Sequence, residues 1–359
     1  MQILVVNAGS SSLKLSVIGD GQETVASSEL GSPADRGVID EMLAFVAAHP
    51  GVRAAGHRIV HGGPHLSEAV VVNDGVRAAL DEAAAIAPLH VPPALRILDG
   101  LATTNLTHVA CFDTGFHARM PPAATTYAIP AEWREHFGVR RYGFHGLSCA
   151  WALRRAAELL GRSPAELRLV VAHLGAGASA TAIRDGHSVD TSMGFTPLEG
   201  LVMATRSGSV DPGALLWLQT SGGVGAAEMS AALEHESGTL GLAGTSDMRD
   251  VLGRASGGDP AAILARDVYV HRAAAVIAGM AAALDRLDGL VFTGGVGENA
   301  APIRAAICER LAVLGVAPPD RPPPDGDGPL NVPGSRVPLL LVHAREDLQI
   351  DLEVRRLLG

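Results

Sequence analysis

Apolar and polar positions along the chain follow two periods, and the two take turns. At the start, ILVVNAGSSSLKLSVIGDG (3–21) reads as a short buried strand, a Gly/Ser turn and an alternating strand that runs into a Gly-Asp-Gly turn. LVVAHLGAGASATAIRDGH (169–187) repeats that order, with a Gly-rich turn and a second strand of small residues ending in Asp185-Gly186. The repetition predicts two structurally related halves, each opening with a β-hairpin. Between and after the hairpins the period lengthens to that of amphipathic helices, over 38–49, 76–87, 148–161, 301–315 and 346–358. The apolar runs 107–113, 287–295 and 338–343 predict buried strands. Strands alternating with helices imply an α/β protein with largely buried sheets. Segment 317–338 is too rich in Pro and Gly for a core and reads as a surface loop, with a linker as the alternative.

Composition narrows the partners. A chain of 359 residues suggests two or three domains, and 47% hydrophobic residues exclude intrinsic disorder. The 28 basic residues face 38 acidic ones, a net charge of −10, which argues against nucleic acid or an anionic membrane as the main partner. Cys111, Cys149 and Cys308 lie too far apart for a disulfide framework or a CxxC pair. The N-terminal run has no basic region or cleavage site, and the longest apolar stretch (273–284) is too short to span a bilayer. These features predict a soluble, cytoplasmic protein.

Candidate chemistry gathers where predicted strands end. Asn7, Ser10, Ser12 and Lys14 surround Gly9 in a turn suited to phosphate, and Lys14 is the only lysine in the chain. No GxxxxGK[ST] motif is present, so this is not a P-loop. In GHRIVHGGPH (56–65), His57, His61 and His65 are spaced by four, but Gly62, Gly63 and Pro64 break any helix that would align them on a metal. Arg58 is the better candidate there, as a fork for carboxylate or phosphate. FDTGFH (112–117) and RRYGFHG (140–146) add Asp113 and His145, while HLGAG (173–177) and TRSGSVDP (205–212) add His173 and Arg206. TSDMRD (245–250) and FTGGVGENA (292–300) look nucleotide-binding. GGVGENA partly matches the GxGxxG/A fingerprint, which keeps an NAD-dependent hydride-transfer enzyme as an alternative.

Taken together, the runs NAGSSSLK, HRIVHGG, APLHVPP, FDTGFHARMP, RRYGFHG, HLGAGAS, DTSMGFTPLEGL, TRSGSVDPG, SGTLGLAGTSDMRD and FTGGVGENA resemble the acetate kinase (acetokinase) family of the sugar kinase, Hsp70 and actin superfamily. They follow family order from residue 7 to about 300, with a weaker match near Glu346. The resemblance implies two ribonuclease H-like domains, each a βββαβαβα core, around a nucleotide cleft. It places residues 1–117 plus 348–359 in one domain and 118–347 in the other. It further implies reversible transfer of the ATP γ-phosphoryl group to acetate by an Mg²⁺-dependent homodimer, with Mn²⁺ as a substitute metal.

Residue by residue, the resemblance makes Asp113, His145 and Arg206 catalytic. It puts Arg58, Val60, Leu89, His90, Phe144 and Pro197 around the acyl substrate. Nucleotide contacts would come from Ser10, Ser12 and Lys14, from His173, Leu174, Gly175, Ala176 and Gly177, and from Asp247, Met248 and Arg249. Gly295, Val296, Gly297, Glu298 and Asn299 would complete them, with Asn7 and Glu346 holding the metal. The chain departs from the family pattern at Ala176, where Asn is usual, at Cys149, where His is usual, and at Ala344 and Arg345 before Glu346. A propionate or butyrate kinase, and a non-catalytic nucleotide-binding regulator of the superfamily, are the alternative readings.

Overall fold

A computed structural model describes residues 1–9, 12–88, 90–322 and 325–359. Two compact units emerge. The first comprises residues 1–118, 144–151 and 345–359, and the second 119–143 and 152–344.

The first unit is built on a six-stranded sheet. Its strands are β1 (Gln2–Ala8), β2 (Leu13–Ile18), β3 (Thr24–Leu30), β4 (Val52–Ile59), β5 (Val70–Val71) and β6 (Thr107–Phe112), in the order β3-β2-β1-β4-β6-β5. β1, β4 and β6 run parallel, while β2, β3 and β5 pair antiparallel to their neighbours. Ile3, Leu4, Val5 and Val6 are all buried, the continuous apolar run expected of a strand covered on both faces. The helix Glu346–Leu358 buries Ile350 and Val354 against β4. A Cβ on Gly56 would lie 2.5 Å from Ile350 Cγ2, so glycine there is what lets helix and strand approach so closely.

The second unit repeats this arrangement. β7 (Arg168–Leu174), β8 (Ala178–Arg184), β9 (His187–Thr191), β10 (Gly289–Thr293), β11 (Gly328–Pro329) and β12 (Leu339–Leu341) form a sheet of order β11-β12-β10-β7-β8-β9. Read from β9, every parallel and antiparallel pairing matches the first unit. The hairpins at 3–21 and 169–187 therefore open two copies of one topology, as the sequence predicts.

Helices occur at Val38–Ala47, Asp74–Ile86, Gly146–Leu160, Ala301–Arg310 and Glu346–Leu358, close to the predicted spans. Others were not announced by the pattern. Val91–Leu101 begins with two prolines in its first turn, where a missing N–H costs nothing, and it buries Leu95, Ile97 and Leu98. The Pro-rich segment 317–338 is not wholly superficial. It carries β11, and Asn331 is buried, bonding the Val337 carbonyl and the Leu339 N–H.

Candidate functional site

In the first unit, chemistry collects at the C-terminal ends of the three parallel strands, where such sheets place their sites. Asn7 on β1 stands in register with Arg58 on β4, and Asp113 directly follows β6. Glu346 opens the C-terminal helix. Arg58 is the hub. Its Nε and Nη2 donate to the two Asp113 carboxylate oxygens at 3.2 and 2.5 Å, and its Nη1 donates to Asn7 Oδ1 at 3.1 Å. Its Nε also lies 3.6 Å from Glu346 Oε2, which accepts from Asn7 Nδ2 at 3.3 Å. One N–H on each terminal nitrogen of Arg58 remains for an incoming oxyanion.

The charges are unequal, with two carboxylates for one guanidinium. Burial pushes the Asp113 carboxyl up to about 6; Arg58 pulls against this and Glu346 adds to it. Burial also disfavours the Arg58 charge, but Asp113 and Glu346 more than offset that and keep it protonated. Asn7, Asp113 and Glu346 offer only oxygen donors, and the surplus negative charge suits a hard divalent cation that takes its other ligands from phosphate and water. Among the described residues, no three His, Cys, Asp or Glu side chains converge as a metal cage.

Phe144 and His145 come from the segment that returns to this unit. Phe144 is buried, its ring edge-on to His61 at 5.7 Å, and its carbonyl accepts from His117 Nε2 at 2.9 Å. His145 is held at φ +57°, a conformation costly for a residue with a side chain. The next residue explains the constraint. Gly146 N–H donates to the Asp113 carbonyl at 2.8 Å, and a Cβ on Gly146 would sit 2.2 Å from that oxygen. Val60 is half-buried just beyond β4, and His90 caps the helix Val91–Leu101. Lys14 is cross-strand to Asn7 and to Glu29, with its ammonium exposed and 3.8 Å from that carboxylate. Ser10 and Leu89 lie outside the described residues.

The second unit holds a cavity of about 770 Å³, within the range of small-ligand sites. The turn after β7 and the short helix Gly294–Asn299 after β10, adjacent parallel strands with Thr293 in register with His173, form one wall through Gly175, Ala176, Gly295, Val296 and Asn299. Asp247, Met248 and Arg249 form another. Asp247 caps the helix Met248–Ser256 through the Arg249 N–H at 2.9 Å and pairs with the Arg249 guanidinium. Glu298 Oε1 accepts from the N–H groups of Gly294 and Ala344, which ties the helix Gly294–Asn299 to the chain after β12. His173, Leu174, Gly177 and Gly297 stand in the same two strand-end segments. Arg206 and Pro197 also belong to this unit, with Nη1 of the arginine donating to the Pro197 carbonyl at 2.8 Å and Glu234 3.8 Å from Nε.

The sequence reading did not single out Thr239, Leu252, Tyr269 or Pro302, all of which line the cavity; Ser246 and Ala300, also in its lining, fall in the runs 245–250 and 292–300 that it read as nucleotide-binding. Tyr269 sits on the long helix Pro260–Ala282, where its apolar context reads as core. No local signal marks it.

Family comparison decides between the readings. The sequence profile of the Acetokinase family matches residues 36–352. The chain belongs to the acetokinase family. It is 42% identical to the acetate kinase of Deinococcus radiodurans over 393 aligned positions, covering all of this chain and 98% of that one. It is 41% identical to the acetate kinase of Streptomyces avermitilis, with the same coverage. Among solved structures, Porphyromonas gingivalis acetate kinase superposes with a TM-score of 0.92 at 32% identity, covering both chains fully. A propionate kinase from Francisella tularensis superposes with a TM-score of 0.89 at 34% identity, covering 98% of each. Family membership sets the hydride-transfer alternative aside.

Proposed function

We propose that this protein is an acetate kinase that transfers the γ-phosphoryl group of ATP to acetate, reversibly giving acetyl phosphate and ADP. The observation that carries the reading is Arg58, fixed between Asp113, Asn7 and Glu346 with one N–H on each Nη uncommitted. A carboxylate acceptor is already an anion and needs no base. The difficulty lies in holding two anions in line while charge spreads over the equatorial oxygens. Arg58 clamps an oxyanion, and Asp113 serves by orienting its fork rather than by moving a proton. His145 and Arg206 stabilise the charge on the transferring group, with Arg206 positioned by the Pro197 carbonyl and Glu234. The P–O bond to ADP breaks as the bond to the acetate oxygen forms.

ATP or ADP occupies the cavity of the second unit. Asn7 and Glu346 hold Mg²⁺, or Mn²⁺ in its place, which when bound neutralises phosphate charge. Val60, His90 and Phe144 bound the acyl group. A second copy of the chain completes a homodimer in the cytoplasm.

The test is a hydroxamate-trapping assay with ATP, Mg²⁺ and formate, acetate, propionate or butyrate. Acetate is expected to give the highest kcat/KM, with propionate lower by about 10–200-fold for its extra methylene. The Francisella propionate kinase match supports propionate as the second reading. No acyl hydroxamate from any acid would leave a nucleotide-binding protein without transfer activity.

A further inference from the structure

Tyr127, Arg141 and Glu199 form a polar cluster in the second unit that the proposed reaction does not use. The Tyr127 hydroxyl sits at its centre. It donates to Glu199 Oε2 and accepts from the Phe195 N–H at 3.1 Å, so a single oxygen joins both ends of the segment 195–199. Pro197 stands at the middle of that segment, and its carbonyl accepts from Arg206 Nη1 at 2.8 Å. Arg141 holds the other side of the cluster. Its Nη2 donates to Glu199 Oε1 at 2.8 Å, its Nη1 donates to the Met193 carbonyl at 3.0 Å, and its guanidinium lies 5.4 Å from the centre of the Tyr127 ring. A Cβ on Gly194 would fall on the Glu199 carboxylate and the Tyr127 hydroxyl, so glycine there makes the space in which the two meet. Burial, with the hydrogen bond to Glu199 adding to it, raises the phenol above its ordinary range, so it stays protonated and keeps its donor engaged.

A backbone carbonyl can steer a guanidinium only as far as the carbonyl itself is fixed. The ring of Pro197 already sets its φ, and Phe195 and Glu199 flank it by two residues on either side. Fastening both flanks to one side-chain oxygen leaves the carbonyl little freedom to turn. We infer that Tyr127 is a positioning residue for phosphoryl transfer, its hydroxyl closing the segment 195–199 so that the Pro197 carbonyl aims the Arg206 guanidinium at the transferring group. The inference rests on the acetate kinase reading above and on the role that reading gives Arg206.

Tyr127→Phe deletes one oxygen and keeps the ring beside Arg141, so the fold is retained. In the hydroxamate assay with ATP and acetate, kcat is expected to fall about tenfold, less than the 10²-fold that a displacement near 1 Å at a catalytic group can cost. KM for ATP and the calorimetric Kd for ATP are expected to stay within about twofold of wild type, because an interaction made only in the transition state does not support ground-state binding. Arg206→Lys keeps the charge but replaces the fork by a flexible point charge that one carbonyl does not aim. Adding Tyr127→Phe to Arg206→Lys is therefore expected to lower kcat no further. An unchanged kcat in Tyr127→Phe overturns the inference. So does a raised KM for ATP at unchanged kcat, which makes the hydroxyl a support of nucleotide binding. The same tenfold loss on top of Arg206→Lys overturns it as well, since the hydroxyl then acts apart from Arg206. A wild-type protein that yields no acyl hydroxamate overturns the acetate kinase reading itself, and this inference with it.

Discussion

His145 and Gly146 show how one residue of fixed geometry positions another. The glycine rests against the Asp113 carbonyl, and the left-handed histidine beside it is held in a conformation that its side chain disfavours. Gly146→Ala forces a Cβ to within 2.2 Å of a backbone oxygen that cannot swing aside. The shift falls on His145 and Asp113 together. A displacement near 1 Å at a catalytic group can cost about 10²-fold, so kcat/KM for acetate is expected to fall by that order while circular dichroism stays native. Gly161→Ala is the control. It too has positive φ, at +63°, but no neighbour within 4 Å, so it is expected to cost stability and spare the rate. A fully active Gly146→Ala protein would show that the close approach is dispensable. At this scale Asn7, Arg58 and Asp113 were legible because each stands where a strand ends, whereas Glu346 was pointed to only by the family resemblance. Tyr269 and Glu234 were not legible, since a tyrosine in an apolar helix and a glutamate on a surface helix carry no local mark of what they face.

At the level of elements, the first unit carries a titratable liability in and beside β4. His57 is buried, its Nε2 3.0 Å from Nδ1 of His108 at the next strand, and burial, with His108 adding, pushes it down to about 3. His61 and His117 are pushed down to about 4 by burial, although the Phe144 carbonyl pulls His117 back up. Each folded value lies below the unfolded one near 6.5, so the unfolded chain binds more protons as pH falls from there toward 4. Stability is therefore full above about 6.5 and lost on acidification through that window. At pH 5 each such histidine costs roughly 2 kcal/mol. Urea midpoints are expected to drop steeply between pH 7.5 and pH 5. His117→Gln retains a donor for the Phe144 carbonyl without a titrating ring, so its drop is expected to be smaller; an identical pH dependence in the variant would refute the assignment. β6 was readable from its apolar run, whereas β4, interrupted by Arg53, His57 and Arg58, shows no such run. The helix Val91–Leu101 was not readable either, because its leading prolines look like a break until they are seen in a first turn, where no backbone donor is lost.

For the whole molecule, the repeated hairpin predicted two related halves, while the sheet topology shared by the two was implied by the family resemblance. Oligomeric state had no such signal. The helix Pro212–Thr220 buries none of its residues, and Leu216 and Trp217 are 61% and 62% exposed. Adjacent open apolar side chains on one helix make it a candidate interface. Trp217→Glu is expected to convert a dimer to a monomer in sedimentation velocity, and a wild-type monomer, or a variant that still dimerises, would exclude this face. The helix Glu346–Leu358 has a consequence in time as well as in space. It completes the first unit, yet the second unit precedes it in the chain. At about 5–20 residues per second, a ribosome takes on the order of ten to fifty seconds to pass from the end of β6 to Glu346. Throughout that interval the nascent first sheet lacks the cover that Ile350 and Val354 bring to β4. The second sheet has all its strands before that cover arrives. The half made first is thus finished after the other, and Glu346 closes its polar cluster only once the second unit has been made.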